Sequence, residues 1–404
     1  MRYITIKNLK LFFFILYISI KNFFYSLYVL NKKFKKIYLC YTWSFGHKTL
    51  AFEYIVRRYF RKKKLNVINI TSIKRDNKYL PYLYKNYFNI VKSFNYSDDK
   101  YSRISYYTLK KILVFFSFLF KTKIVTYEDI IKIEEKNKHK KPFYSHEKKK
   151  IIKISPIYFM DLLSKKQLKY QLPHEVRNVL VNILAKKKMT IKNKKIYTFS
   201  FRQMAHYKSK KNILSKDDYY DILRSKYFKP ENFLKSIEYL SSKKENFLLI
   251  ENLSFRLQKR IKKKFNNIFF YDLNDKYYKE ISIFSYFAEK VRVMQNSGGM
   301  LLSSYMGKRV IVTDYFPFNN GNPGHGYSVI FPKIKIHNKI LNVKQYLNTE
   351  YFYGKGFDNK NVIILPNSSK LIKSVILDTK KYKSKKLNFP KDTTIRLRQP
   401  ITYY

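Results

Sequence analysis

The chain starts with a basic segment and continues as a long apolar one. Residues 11–20 (LFFFILYISI) carry no charge, and Lys21 and Asn22 separate them from a second apolar stretch that ends at residue 30. The uninterrupted run has about half the length of a transmembrane helix, and no small-residue cleavage site follows it. Residues 5–30 are therefore predicted to form a helix that lies on a membrane surface or packs on its own domain.

Residues 36–70 have the pattern of a strand, a helix and a second strand. The apolar runs at residues 36–41 (KIYLCY) and 64–70 (KLNVINI) have strand length, and residues 50–60 place apolar side chains at helical spacing. Residues 43–49 (WSFGHKT) are predicted to form the turn between strand and helix. In a parallel βαβ unit this turn lies at the carboxyl end of the first strand, where open α/β sheets bind ligands.

A second alternation of strand and helix patterns begins at Lys195. Strand-like apolar runs lie at residues 196–201, 245–252, 267–273, 292–295 and 309–315, and helical spacing lies between the later runs at residues 255–265, 281–291 and 300–308. Such alternation is typical of a doubly wound parallel sheet. The charged and aromatic stretch between 75 and 150 predicts helices in no fixed order, and a helix near 174–188 is predicted to close the first half.

These patterns predict an α/β protein with two Rossmann-like lobes, a cleft between the lobes, and an apolar and basic helix at the N-terminus. The predicted segments are the N-terminal helix at 1–34, an N-terminal lobe at 35–190, a C-terminal lobe at 191–375, and a basic tail at 376–404 that returns to the N-terminal lobe.

Composition excludes a disordered chain and makes the charge hard to interpret. The 404 residues include 84 Lys and Arg against 27 Asp and Glu, a net charge of +57, yet 45% are hydrophobic and 18% aromatic. Lys, Asn, Ile, Tyr and Phe are abundant together, as an AT-biased genome produces, so the charge alone is weak evidence for nucleic-acid binding. An anionic membrane surface or another polyanion remains compatible with it. Cys40 is the one cysteine, which excludes an intramolecular disulfide.

Glycine is scarce, and eight of the nine glycines lie between residues 298 and 356. There a predicted strand ends in Asn296, Ser297, Gly298 and Gly299 just before a predicted helix. Backbone N–H groups at such a turn can bind a phosphate, although an ordinary tight turn has the same pattern. The Walker and GxGxxG motifs are missing, which disfavours the usual ATPase, kinase and NAD-binding functions. The remaining glycine, Gly46, lies three residues after the single tryptophan, Trp43.

Two segments resemble a known family. YTFSFRQ, followed by FAEKVRVMQNSGGMLLSSYMGKRVIVTDYFPF, is similar to bacterial glycosyltransferases of surface-polysaccharide type whose C-terminal lobe is GT-B-like and fucosyltransferase-like. The resemblance covers about residues 195–330, and WSFGHKTLAFEY resembles the early turn of the same family. It implies a nucleotide-sugar donor on the C-terminal lobe and an acceptor on the N-terminal lobe near Trp43, Gly46 and His47.

Individual residues at these turns are candidates for specific roles. Arg202 follows an apolar strand and offers a forked donor to a diphosphate, or else is one more surface cation. His47 is a candidate general base toward an acceptor hydroxyl, or a structural histidine. Asp314 follows a strand and could contact a ribose or sugar hydroxyl or stabilise its own turn. No DxD motif ends a strand, so neither a metal nor a cofactor is expected beside the nucleotide-sugar co-substrate.

The predicted function is metal-independent transfer of a sugar from a nucleotide-sugar to a hydroxyl of a surface glycan or glycolipid. The predicted donor site comprises Arg202, residues 296–299 and Asp314, and the predicted location is cytoplasmic, on the inner membrane face. The alternative is a non-enzymatic basic protein that binds RNA or another polyanion, which would explain the charge but not the clustered glycines. A degenerate transferase kept as a membrane scaffold is a third possibility.

Overall fold

Two units, each with its own parallel sheet, make up the chain. One comprises Met1–Asn137 and Lys169–Pro173, and the other comprises Lys138–Leu168 and His174–Tyr404. The computed structural model describes residues 6–41, 45–72, 76–126, 128–129, 141–145, 150–154, 168–201, 229–295, 299–315, 327–341, 345, 362–377 and 401–403.

The first unit is a four-stranded parallel sheet with helices. Its elements are α1 (Ile6–Asn31), β1 (Lys36–Tyr41), α2 (Phe45–Tyr59), β2 (Leu65–Ser72), α3 (Leu80–Leu83), β3 (Phe88–Tyr96), α4 (Asp99–Ser117) and β4 (Lys123–Thr126). The strand order is β3-β2-β1-β4, with every neighbouring pair parallel. This confirms the predicted βαβ unit and the helix at the N-terminus. β3 was not predicted, because only Phe88 and Phe94 of its nine residues are buried and its middle lacks an apolar run.

Helix α2 begins earlier than its apolar spacing indicates. Gly46 and His47 were predicted to lie in a turn, but the helix starts at Phe45 and includes both. The cause is that Lys48 and Thr49, which continue the inward face of the helix, are polar residues that are fully buried. A pattern based on hydrophobicity therefore places the first residue of the helix too late.

The second unit contains a seven-stranded parallel sheet. Its elements are β5 (Lys141–Ser145), β6 (Lys150–Ile154), α5 (His174–Lys186), β7 (Lys195–Ser200), a 3-10 turn (Pro230–Phe233), α6 (Leu234–Ser241), β8 (Asn246–Glu251), α7 (Phe255–Lys262), β9 (Ile268–Tyr271), α8 (Tyr278–Ala288), β10 (Val291–Gln295), α9 (Gly299–Tyr305), β11 (Arg309–Thr313), β12 (Tyr327–Ile330), β13 (Lys333–Ile336), β14 (Lys339–Leu341), β15 (Val362–Leu365), α10 (Ser369–Leu377) and β16 (Ile401–Tyr403). The strand order is β16-β12-β11-β10-β7-β8-β9, and all six neighbouring pairs are parallel.

Apolar side chains cover both faces of this sheet. In β8, Leu248 and Ile250 point to the core shared with α6, α7 and α10, whereas Phe247 and Leu249 point to the core shared with α5 and α8. Strands buried on both faces have continuous apolar runs, which is why β7 to β11 could be predicted from the sequence. The predicted fold class is confirmed: the protein is α/β, with a Rossmann-like parallel sheet in each unit. The cleft between lobes stays a prediction.

Two segments differ from the sequence-based organisation. Helix α5 was expected to close the first lobe, but its Leu180 and Leu184 pack with Ile196 and Phe247 of the second sheet. The tail was expected to return to the N-terminal lobe, but β16 pairs in parallel with β12 in the second sheet. For α5, apolar periodicity identifies the helix without indicating which core buries it, and for the tail no strand was predicted.

Candidate functional site

The second sheet reverses its strand order between β7 and β10. From β7 the chain proceeds through β8 and β9 on one side, and β10, β11 and β12 then extend the sheet on the other side. Ser200 near the end of β7 is the register partner of Met294 in β10. Open α/β sheets bind ligands in the crevice at the carboxyl ends of the strands that flank such a reversal. We call the side of the sheet at which its parallel strands end the carboxyl edge. This carboxyl edge, next to β7 and β10, is the candidate site.

A polar residue ends each of two neighbouring strands at this edge. Gln295 is the last residue of β10, Thr313 is the last of β11, and the two are register partners on neighbouring strands. Both are buried, and among the described residues neither Nε2 of Gln295 nor Oγ1 of Thr313 has a hydrogen-bond partner. Their strand positions put them on the same face as Val293 and Ile311 of the core. Buried polar atoms without partners are uncommon and are candidates for ligand contacts.

Asp314 follows Thr313 and is also buried. Its backbone adopts φ of 48°, a left-handed conformation that aspartate tolerates better than most residues. Oδ1 accepts a hydrogen bond from the backbone N–H of Asn367 at 2.7 Å, whereas Oδ2 has no partner among the described residues. Burial raises the pKa of Asp314 to about 7, although the Asn367 hydrogen bond acts in the opposite direction. Asp314 therefore links the end of β11 to the segment before α10 through one oxygen, and its other oxygen has no partner among the described residues.

A buried arginine connects the core to the end of β7. Nε of Arg292 donates to the two carboxylate oxygens of Glu289 at 3.1 and 2.9 Å, and Nη2 donates to Ser285 Oγ at 2.8 Å. Nη1 donates to Ser200 Oγ at 2.7 Å. Burial lowers the pKa of Arg292, but the Glu289 carboxylate together with Tyr286 and Tyr271 raises it, and the pKa lies above its ordinary value. The arginine therefore stays charged and restrains the last residue of β7.

Two further side chains complete this cluster. Ser303 of α9 donates to Glu289 Oε1 at 2.5 Å, and Tyr278 donates to Glu251 Oε1 at 2.6 Å, where Glu251 ends β8. Helix α9 is thereby tied to the same carboxylate that pairs with Arg292. Sequence reasoning missed the cluster, and the one available signal was a charged residue inside the apolar strand VRVM.

The first unit has its own buried ion pair at the carboxyl end of β2. Nζ of Lys48 pairs with Asp76, and both side chains are fully buried. The same ammonium group donates to the Ile70 carbonyl at 2.8 Å and lies 3.3 Å from Thr71 Oγ1. Lys48 belongs to the first turn of α2, which also carries Gly46 and His47. The pair therefore fixes the position of the predicted acceptor-side segment on its sheet.

The structure describes part of the predicted site. Gly46 and His47 lie in the first turn of α2, Gly299 begins the seven-residue helix α9, and Asp314 lies as described above. Arg202 directly follows Phe201 after β7, and residue 296 directly follows Gln295 after β10, so both follow neighbouring strands. The predicted residues that lie outside the described residues are Trp43, Arg202, Asn296, Ser297 and Gly298.

A search of the described residues finds no group of three or more His, Cys, Asp or Glu side chains placed to hold a metal ion. Metal independence stays a prediction.

Comparisons with known proteins give distant similarities. No protein-family model and no curated protein matches the chain. Among solved structures, the glycosyl transferase family 9 protein from Veillonella parvula DSM 2008 is 10% identical at a TM-score of 0.41, covering 73% of this chain and 86% of its own. NodZ alpha-1,6-fucosyltransferase soaked with GDP-fucose is 10% identical at a TM-score of 0.33, covering 72% of this chain and 97% of its own.

A third similar structure is the UDP-GlcNAc 2-epimerase from Neisseria meningitidis bound to UDP-GlcNAc. It is 10% identical at a TM-score of 0.28, covering 72% of this chain and 82% of its own. Similarities of this size do not identify a function, which is therefore inferred from the residues of this chain.

Proposed function

We propose that the protein is a glycosyltransferase that binds a nucleotide-sugar donor at the carboxyl edge of the second sheet. One observation carries the proposal: at the strand-order reversal of a parallel sheet, Gln295 and Thr313 present buried polar atoms that have no hydrogen-bond partner among the described residues. The amide N–H of Gln295 can donate to an oxygen of the donor, and the Thr313 hydroxyl can donate or accept. Both would be satisfied by a polar ligand in the crevice.

The chain that follows each central strand supplies the proposed diphosphate contacts. Arg202 would pair with two phosphate oxygens, and the backbone N–H groups of residues 296–299 would donate to others. Asp314 Oδ2 would accept a hydrogen bond from a ribose or sugar hydroxyl. Ser200 lies at the end of β7 and is restrained by Arg292, so the segment that leads into Arg202 starts from a fixed position.

The proposed reaction replaces the bond between sugar and diphosphate in the donor with a glycosidic bond to the acceptor. An acceptor hydroxyl oxygen attacks the anomeric carbon, the bond from that carbon to the diphosphate oxygen breaks, and the diphosphate leaves with the electron pair. The proton of the hydroxyl passes to a general base, for which His47 is the candidate. Arg202 compensates the charge that develops on the diphosphate. The acceptor would be a glycan or glycolipid held near Trp43 and Gly46, at the cytoplasmic face of the membrane.

The test is a thermal-shift screen against nucleoside diphosphates and nucleotide-sugars. A ligand at 100-fold its dissociation constant should stabilise the protein by about 2.7 kcal/mol. One nucleotide class should raise the melting temperature of the natural protein, and Arg202→Ala and Gly298→Val should abolish the shift. The nucleotide-sugar of that class should then donate its sugar to a glycolipid extract. The absence of a shift with every nucleotide, together with salt-sensitive RNA binding, would favour the polyanion-binding alternative.

A further inference from the structure

Helix α1 has a packed face and, opposite to it, an exposed face that is apolar. The packed face includes Ile18, Asn22 and Val29, which are buried. The opposite face is exposed, and its residues recur every three or four positions: Leu9, Phe13, Leu16, Ile20, Phe24 and Tyr28. An exposed apolar face of this length on a folded protein indicates an interaction surface.

Polar contacts hold the packed face of α1 on α4. Asn22 Nδ2 donates to the Ser105 carbonyl at 3.2 Å and to Thr108 Oγ1 at 2.8 Å. Leu11–Asn31 is long and apolar enough to cross a membrane. However, a separate spanning helix would lose both hydrogen bonds and place the amide in hydrocarbon, which is unfavourable. The contacts favour a helix that stays on its own unit.

The exposed apolar surface continues from α1 onto the carboxyl end of α4. The rings of Phe23 and Phe116 lie 5.6 Å apart and connect the two helices there. Beyond this contact, Phe115 is 73% exposed and Phe118 is 85% exposed. Val114 and Leu119 are exposed beside them. The sequence pattern of residues 75–150 did not reveal this second half of the surface.

Lysines, and no acidic residues, lie along α1 and the carboxyl half of α4. The first acidic residue of the chain is Glu53, and residues 100–126 contain none. Exposed lysines on and beside the two helices include Lys21, Lys32, Lys111 and Lys121. Nζ of Lys32 lies 4.5 Å from the ring centre of Tyr28, next to the apolar face. Aromatic and aliphatic side chains bordered by lysines match the acyl boundary and anionic head groups of a bilayer.

We infer that α1 and the carboxyl end of α4 form one docking surface for an anionic lipid bilayer, with the exposed apolar side chains of both helices inserted into the interface. The docking surface is independent of the proposed transfer reaction, because none of its residues belongs to the proposed donor or acceptor site.

The test measures binding of the full-length chain to vesicles of phosphatidylcholine alone and of phosphatidylcholine with phosphatidylglycerol. Phe115→Ser combined with Phe118→Ser should weaken binding to the anionic vesicles by about tenfold or more, because two aromatic side chains no longer enter the bilayer. The matched control combines Phe255→Ser with Ile340→Ser, two exposed apolar residues of the second unit. The control should bind like the natural protein. Circular dichroism should show that both variants are folded.

Three outcomes would overturn the inference. The first is unchanged binding of the Phe115 and Phe118 variant, or an equal loss in the control. The second is a dimer that sedimentation experiments detect without lipid and that the same two substitutions dissociate. The surface would then bind a second copy of the chain. The third is resistance to alkaline carbonate extraction from cell membranes, because α1 would then span the bilayer. Release by carbonate supports an interfacial position.

Discussion

Asp314→Asn should remove a pH dependence of stability that arises from one buried carboxyl group. In the folded protein Asp314 lies beside Asn367 with one oxygen hydrogen-bonded, and its burial raises the pKa from 3.8 to about 7. Asparagine keeps an acceptor oxygen for the Asn367 N–H and carries no charge. The substitution therefore changes the titration of this site while it retains the hydrogen bond from the Asn367 N–H.

The sign follows from proton binding. Between pH 4 and pH 7 the folded state holds the Asp314 proton more tightly than the unfolded state, so this group's contribution to stability is full below the unfolded pKa and is lost as the pH rises through about 7. A difference of about three pKa units corresponds to about 4 kcal/mol. Asp314→Asn should match the natural protein near pH 4 and be more stable than it by up to about 4 kcal/mol near pH 8.

Urea unfolding of both proteins at about pH 4.5 and about pH 8 measures the two differences. Glu231→Gln is the control, because Glu231 is exposed and its variant should differ from the natural protein equally at both pH values. If the Asp314→Asn difference is the same at both pH values, the carboxyl group is not destabilised in its charged form and the reasoning is wrong. Bound donor that hydrogen-bonds to Oδ2 should reduce the pH dependence.

Substitutions in two buried ion pairs should also change the stability of the protein. Arg292→Met should lower the free energy of unfolding by about 3–5 kcal/mol, because Glu289 stays buried without its counter-charge. Adding Glu289→Leu to this variant should recover part of the lost stability, as measured by urea unfolding. If no stability is recovered, the two groups do not pair as described. Lys48→Met should lower the free energy of unfolding by a similar amount. Adding Asp76→Asn to the same chain should restore stability if the two groups pair as described.

The helices and strands could be predicted where burial produces a continuous apolar signal. The strands of the second sheet are examples, since β8 (Asn246–Glu251) is buried along its whole length. β3 (Phe88–Tyr96) was not predicted because seven of its nine side chains are exposed or half-exposed. The start of α2 was not predicted because its inward residue Lys48 is charged. A local pattern does not show that the counter-charge, Asp76, follows later in the chain.

The sequence predicted a site after β10, but it did not predict the polar side chains that end the strands there. The scarcity of glycine directed attention to the residues that follow Gln295 in the chain, and β10 flanks the strand-order reversal. Gln295 and Thr313 were not identified, because their pairing depends on strand register rather than on sequence spacing. Arg292 reaches Ser200 across 92 residues of chain, a contact that only the fold creates.

The most direct test of the proposed site compares two identical substitutions in the second sheet. Thr313→Val removes a buried hydroxyl at the carboxyl edge, and Thr198→Val removes one from the middle of β7; among the described residues neither hydroxyl has a hydrogen-bond partner. Titration calorimetry with the nucleotide that stabilises the natural protein should show about five- to tenfold weaker binding for Thr313→Val, the value of one hydrogen bond, and unchanged binding for Thr198→Val. Unchanged binding for both variants, or an equal loss in both, would contradict a donor site at this edge.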